Sequence, residues 1–258
     1  LPLRSEYGTN DLGRATKGAA EGLLAKVYLY QKKWQEAYNY ANNVVKSGEY
    51  GLFENYIDAF KSDAQYHNGK ESLVEFQAKG SDASIAHGIR QYSATQGARG
   101  DAGWGWGFNT PSQNLLDAFN ADGDVISRDA TIIVRNSIHY DGRLVGSTDN
   151  PLYNYKSYSS SAPGSDWNDR YVLYLRYAEV LLIKAEAANE LGNTNDALTA
   201  LNEVRDRAEL DVIESTDQSV IRQAIWNERR LELAMEHDRW FDLVRTGQAA
   251  TAMAANGK

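Results

Sequence analysis

Apolar side chains recur at helical spacing in two separated stretches of the chain. Between residues 14 and 47, Leu23, Leu24, Val27 and Tyr28 mark one helix. Trp34, Ala37, Tyr38, Ala41, Val44 and Val45 mark a second. Lys32-Lys33 sits at the short turn between them. Ser47-Gly48 supplies the stop, with glycine where a helix C-terminus turns left-handed. Residues 171–208 repeat the design. Leu173, Leu175, Ala178, Leu181, Leu182, Ala185 and Ala188 predict the first helix, and Gly192-Asn193 the turn. Asn195 is the expected N-cap, and Ala197, Leu198, Leu201 and Val204 carry the second helix. A third helical region covers 217–246 through Ile221, Ile225, Trp226, Leu231, Leu233, Met235, Trp240, Phe241, Leu243 and Val244.

Residues 48–168 differ in kind. Most glycines, every proline except Pro2, and many Ser and Asn lie there. Residues 73–77 read as a short strand and 80–110 as loop. Residues 111–120 read as a short helix led by Pro111, with a turn at 120–124. Long irregular segments in a compact domain are functional or disordered, and the aromatic content here argues against disorder. Within the helical stretches, Ala25 and Ala37 are twelve apart, as are Ala185 and Ala197. Small residues facing each other let two helices approach closely, a device of tetratricopeptide (TPR) repeats. The expected fold class is therefore mainly α. TPR-like helix pairs, an α-α superhelix, would carry a long irregular insertion of loops and short strands. A single domain, 1–258, would hold one pair at 14–47, the irregular region at 48–168, and a pair plus a charged helix at 169–247.

Composition narrows the function. The 258 residues carry 27 Lys+Arg against 35 Asp+Glu, a net charge of −8. That argues against nucleic acid as a partner, because phosphate contacts need a basic surface. There is no cysteine, which excludes disulfides, thiolate metal sites and a cysteine nucleophile. Sixteen Tyr and six Trp stand against only six Phe, so amphipathic rings predominate. The longest apolar runs, such as 180–183, are far too short to span a bilayer. The start at Leu1 and the stop after 253–258 lack a closing element, so a piece of a longer precursor is expected.

Little in the sequence points to catalysis. His67, His87, His139 and His237 are scattered, with no pair at helical ligand spacing. Gly103-Trp104-Gly105-Trp106-Gly107 lacks the context of a phosphate loop. Asp122-Gly123-Asp124, with Asp117 and Asp129, does not fit a calcium loop. No cofactor and no metal are expected. Asp101 is a single loop carboxylate where glycoside hydrolysis needs two. Glu228, Glu232 and Glu236 fall at i, i+4, i+8 and read as structural charges for Arg176 or Arg205. The loop 92–109 stands out instead. Glycines flank Trp104 and Trp106, and Tyr92, Gln96, Arg99, Asp101 and Asn109 stand close by. Large rings with a few placed polar groups are the recipe for a small-molecule site, and sugar C–H faces pack on rings. In an extended segment both Trp would face one side. On the residues alone, two readings stay open: sugar binding, or rings plugging the scaffold. A second aromatic set, Tyr153, Tyr155, Tyr158, Trp167, Tyr171, Tyr174 and Tyr177, reads as core near the helix, with Trp167 exposed in its loop.

Two long motifs carry a family resemblance. Arg176-Tyr177-Ala178-Glu179-Val180-Leu181-Leu182, followed by Ala185-Glu186-Ala187, Leu191-Gly192 and Leu201-Asn202-Glu203-Val204-Arg205, resembles a helix of the SusD/RagB family. Glu228-Arg229-Arg230-Leu231-Glu232-Leu233, continuing through Glu236, Arg239 and Asp242-Leu243-Val244-Arg245, is similar to its second signature. Residues 68–77 and 109–123 agree as well, in the same order, so the resemblance covers about 14–247.

The resemblance implies helix pairs supporting an irregular ligand-binding face. It implies a surface lipoprotein of the outer membrane in Bacteroidetes-type bacteria, active in polysaccharide utilisation and not an enzyme. Its partners would be a glycan and a TonB-dependent, SusC-like transporter. Membrane attachment would run only through a lipid anchor on an N-terminal Cys that this chain lacks. In the family, part of the glycan site precedes the Pro-led helix, here 92–109. Trp104 and Trp106 would then stack on sugar rings, with Tyr92 as a third platform. Arg99, Asp101, Gln96 and Asn109 would bond hydroxyls. A TPR-like scaffold for peptides or protein partners is the alternative, and a glycoside hydrolase the third reading.

Overall fold

The computed structural model describes residues 1–78, 90–100, 103–159 and 170–255. Two helix hairpins form the scaffold. The first joins α1 (Lys17–Tyr30) to α2 (Trp34–Ser47), and Gly48 closes α2 at φ +66°. The second joins α6 (Tyr177–Glu190) to α7 (Thr194–Arg207). Helix α2 lies against α6, and α8 (Gln218–Glu232) packs on α6 and α7. Ala25, Ala37, Ala185 and Ala197 are all fully buried at these contacts, so the paired small residues do set the approach. Leu29, Val44, Leu181, Leu182, Leu201, Val204, Ile221 and Ile225 fill the same core. The fold is mainly α and built from TPR-like pairs, as the pattern predicts.

Several boundaries differ from expectation, each for a physical reason. Helix α1 buries Gly18, Ala19, Gly22, Ala25 and Leu29, while Leu23, Leu24 and Val27 stay exposed. A Cβ on Gly22 would sit 2.8 Å from both Leu73 and Leu175, so this face is chosen by size rather than hydrophobicity. Leu173 and Leu175 are not helical. They belong to β4 (Val172–Arg176), which pairs antiparallel with β1 (Ser72–Phe76) from Ser72↔Arg176 to Phe76↔Val172. The N-cap of α7 is Asn193, not Asn195. The third helical region is broken: α8 ends at Glu232, and α9 (Arg239–Arg245) starts after a turn with Met235 and His237 at φ +67° and +82°.

The irregular region holds more structure than its pattern shows. It contains α3 (Arg90–Gln96), α4 (Gln113–Asp122, capped by Ser112), α5 (Val125–Thr131), and a two-stranded sheet of β2 (Ile132–Val134) and β3 (Leu152–Asn154). A final helix, α10, covers Ala249–Ala255.

A buried ionic cluster fastens this region to the scaffold. Arg176, at the junction of β4 and α6, is almost wholly inaccessible. Its guanidinium donates to Glu71 at 2.7 Å, to Glu236 at 2.6 and 2.9 Å, to the Glu232 carbonyl at 2.7 Å, and to the Glu232 carboxylate. Arg207 of α7 also reaches Glu71 and Glu232. Lys156, from the segment after β3, donates to Glu236 at 2.5 Å and to the Glu232 carbonyl at 2.9 Å. Three cations thus face three carboxylates. Burial alone would raise the Glu232 carboxyl, but Arg207, Arg176 and Lys156 together hold it at about 2. Burial pulls Lys156 down to about 8, against the attraction of Glu236. The expected partnership of Glu228 and Glu232 with Arg205 and Arg176 is present, Arg205 meeting Glu228 at 2.9 Å.

Removing one member of such a cluster strands the others as uncompensated buried charge. Arg176→Ala should therefore lower the unfolding free energy by about 3–5 kcal/mol in urea titrations at neutral pH. A loss below about 1 kcal/mol would show that water reaches the three carboxylates.

Candidate functional site

The chain from 90 to 109 folds back on itself. Helix α3 has seven residues, and its last carbonyls need donors. The glycine-rich segment provides them. Trp104 and Gly105 donate their backbone N–H to Ala98 O at 2.8 Å, Trp106 to Ala94 O at 2.9 Å, Gly107 to Gly97 O at 2.9 Å, and Phe108 to Thr95 O at 3.0 Å. The approach is too close for side chains. A Cβ on Gly105 would lie 2.4 Å from Ala94 O and 2.5 Å from Gly97 Cα. These glycines thus serve close contact.

This winding separates the two Trp, which do not share a side. Trp104 is 7% exposed and Trp106 is 49% exposed. The Trp104 ring meets the edges of His139 and Tyr158 at 5.1 and 5.2 Å, and the Arg143 guanidinium lies 4.4 Å over it. No ring face remains for a sugar. Arg99 points elsewhere, exposed and paired with Asp149 at 2.8 Å. Asp101 and the loop around Trp167 lie outside the described residues.

Three of the expected residues do converge. Tyr92, Gln96 and Asn109 line an open cleft of about 650 Å³, together with Phe76, Gln91, Thr95, Phe108, Val172 and His237. Phe76 and Val172 are the register pair at the end of the β1–β4 ribbon. Phe108 is 61% exposed and Phe76 is 55% exposed. Tyr92 meets His237 edge-on at 6.3 Å, and burial pushes its hydroxyl pKa up. Gln96 is buried and acts as a fixture. Its Oε1 accepts from Asn109 Nδ2 at 2.7 Å and Asn154 Nδ2 at 2.8 Å, and its Nε2 donates to Tyr92 O at 3.2 Å. Asn109 sits at φ +50°, a conformation asparagine tolerates better than most residues, with its amide held at the cleft edge. His237 takes its place because the preceding Glu236 is clamped by Arg176 and Lys156. The cleft can therefore offer ring faces flanked by amide and hydroxyl groups.

Sequence reasoning missed Phe76, Gln91, Thr95, Phe108, Val172 and His237 as site residues. Phe108 stood in the loop already singled out, and Phe76 ends the predicted strand; only the fold brings in Val172 and His237.

The model of the SusD family matches residues 131–258. A SusD-like protein of Formosa agariphila is 28% identical over 280 residues, which cover 94% of this chain and 53% of the relative. One of Bacteroides ovatus is 30% identical over 91% of this chain and 46% of its own length. The chain belongs to the SusD family. It spans about half the length of the curated SusD-like relatives it matches. Among solved SusD-like structures, a laminarin-binding protein is 28% identical, with a TM-score of 0.79 over 99% of this chain and 60% of that one. Surface glycan-binding protein A from Bacteroides thetaiotaomicron is 25% identical, with a TM-score of 0.76 over 97% and 58%. The cleft lies mostly before residue 131, outside the matched family model but inside the stretch these SusD-like structures cover.

Behind the cleft, His139 supports the loop of this SusD-family chain from within. Its ring is buried against Trp104, Tyr155 and Tyr158, and neither nitrogen has a hydrogen-bond partner among the described residues. Burial holds its pKa down at about 4; Arg143 adds to this and Asp141 opposes it. An unfolded His titrates near 6.5, so between about pH 6.5 and 4 the unfolded chain takes up a proton that the folded one refuses. The stability tied to neutral His139 is complete above 6.5 and is lost as pH falls toward 4, by up to about 3 kcal/mol. His139→Phe keeps a ring and abolishes the titration. Compared at pH 7 and pH 4 by denaturant unfolding, the variant should gain about that much on the wild type. Parallel pH profiles would show that the ring protonates freely in the folded state.

Proposed function

We propose that this chain is the glycan-holding part of a SusD-like protein, and that the cleft between α3 and the β1–β4 ribbon is where the glycan lies. The carrying observation is a set of ring faces open to solvent beside a positioned amide. Phe108 and Phe76 offer exposed surfaces on which sugar C–H faces can pack, the half-buried Tyr92 lines the cleft beside them, and Asn109, braced by Gln96, meets hydroxyls. Trp106 extends the aromatic surface outward, while Trp104 holds the loop from inside. Arg99, outside the cleft beside Asp149, would add a hydroxyl partner, and Asp101, outside the described residues, is proposed for the same role from the sequence alone. The similarity to a laminarin-binding SusD-like structure supports the ligand class.

The reading is non-catalytic. Glycoside hydrolysis calls for two carboxylates across the scissile bond, and the described lining of the cleft contains none. In the same reading the protein is a surface lipoprotein of the outer membrane and passes its glycan to a TonB-dependent, SusC-like transporter. Family membership supports that step, and co-purification with such a barrel tests it.

The cleft is tested by affinity electrophoresis against a polysaccharide panel. Phe108→Ala and Tyr92→Ala should each weaken binding by about two- to tenfold, from about 0.5–1.5 kcal/mol per ring contact. A double variant that is folded and retains wild-type affinity would place the glycan elsewhere.

A further inference from the structure

The cleft has a marked chemical bias in what lines it. Among the described lining residues there is no Lys, Arg, Asp or Glu; His237 is the one titratable group besides the Tyr92 phenol. The cations nearby are already engaged. Arg170, the cation nearest in influence to Tyr92, is buried and donates to the Phe60 and Lys156 carbonyls; Arg99 is paired with Asp149 away from the cleft, and Lys156 and Arg176 are sealed in the ionic cluster on Glu232 and Glu236. Hydrogen-bonding capacity in the cleft comes instead from neutral groups: Gln91, Thr95 and Asn109.

Charge beyond the cleft has the same sign preference. The chain carries −8 overall. A carboxylate or sulfate drawn into an apolar cleft loses its hydration and needs a charged donor to replace it. An uncharged sugar ring loses far less, because its C–H face meets the rings and its hydroxyls meet amides and a hydroxyl.

We infer that the cleft selects uncharged glycans and rejects those bearing uronate or sulfate groups. This rests on the glycan reading above and specifies the ligand class within it.

The test is calorimetry with the whole chain at pH 7.5 and physiological salt. The uncharged probes are laminarin, xylan and mannan; the charged ones are alginate, pectate and a sulfated galactan. Phe108→Ala accompanies every probe that binds. The expected result is that an uncharged probe binds at least tenfold more tightly than every charged one and weakens in Phe108→Ala. A charged probe that binds as tightly, and whose binding weakens in Phe108→Ala, would overturn the inference and leave the glycan reading standing. Binding unaffected by Phe108→Ala would overturn both the cleft assignment and the inference. A chain that binds none of the six would overturn the glycan reading and the inference with it.

Discussion

The architecture turns on a guanidinium buried from solvent. Arg176 is buried where a strand becomes a helix, and its charge can be buried there because Glu71, Glu232 and Glu236 surround it. Those carboxylates come from the start of β1, the end of α8 and the turn after α8. One side chain therefore joins the helical scaffold to the segments that carry the cleft. The geometry passes outward in short steps. Glu236 is held, so His237 is placed; Arg176 ends β4 opposite Ser72, so the other end of the ribbon presents Phe76 and Val172. The alternative, an apolar cluster of equal volume, would often be as stable. It would not specify directionally where five separate segments must meet.

The second constraint is backbone satisfaction at the end of a short helix. Seven residues of α3 leave as many unpaired carbonyls as a long helix does, but bring less packing. The glycine-rich segment covers them with its own N–H groups, and close approach forces glycine at the contact points. Once that strip is seated, Trp104 must turn inward and Trp106 outward. The cleft-facing residues Phe108 and Asn109 follow directly from where the strip ends.

The helix pairs were legible because their contacts repeat: alanines twelve apart, apolar rows at 3.6 spacing, glycine at a turn. The motif residues Arg176, Glu228, Glu232 and Arg205 announced a charged contact by type and spacing. Legibility stopped where pattern and burial part company. Helix α3 buries Ser93, Ala94 and Gln96, which form no hydrophobic stripe, so it read as loop. Leu173 and Leu175 fit a helical row by identity but alternate as a strand does, and their place opposite Glu75 and Val74 is a long-range pairing. The loop 92–109 was found by its rings and glycines. Which ring faces solvent depended on hydrogen bonds between residues 94–98 and 104–108, and local spacing does not encode those.

The excess of Tyr and Trp over Phe takes on a different meaning in the fold. Rings with a polar tip are used mostly inside, where buried polar atoms need partners. Tyr56 donates to the Glu232 carbonyl, Tyr153 to the Arg99 carbonyl, and Tyr158 to Asp141, while Tyr155 accepts from the Tyr140 N–H. Two of the three most exposed rings at or beside the cleft, Phe76 and Phe108, have no polar tip at all. Amphipathic rings stabilise an interior rich in charge and backbone ends, where each hydroxyl offsets a desolvated acceptor. A face meant to lie flat against a ligand has no such debt, and a plain phenyl serves it. The abundant ring types thus describe how the scaffold is held, and the scarce one points to where a ligand would rest.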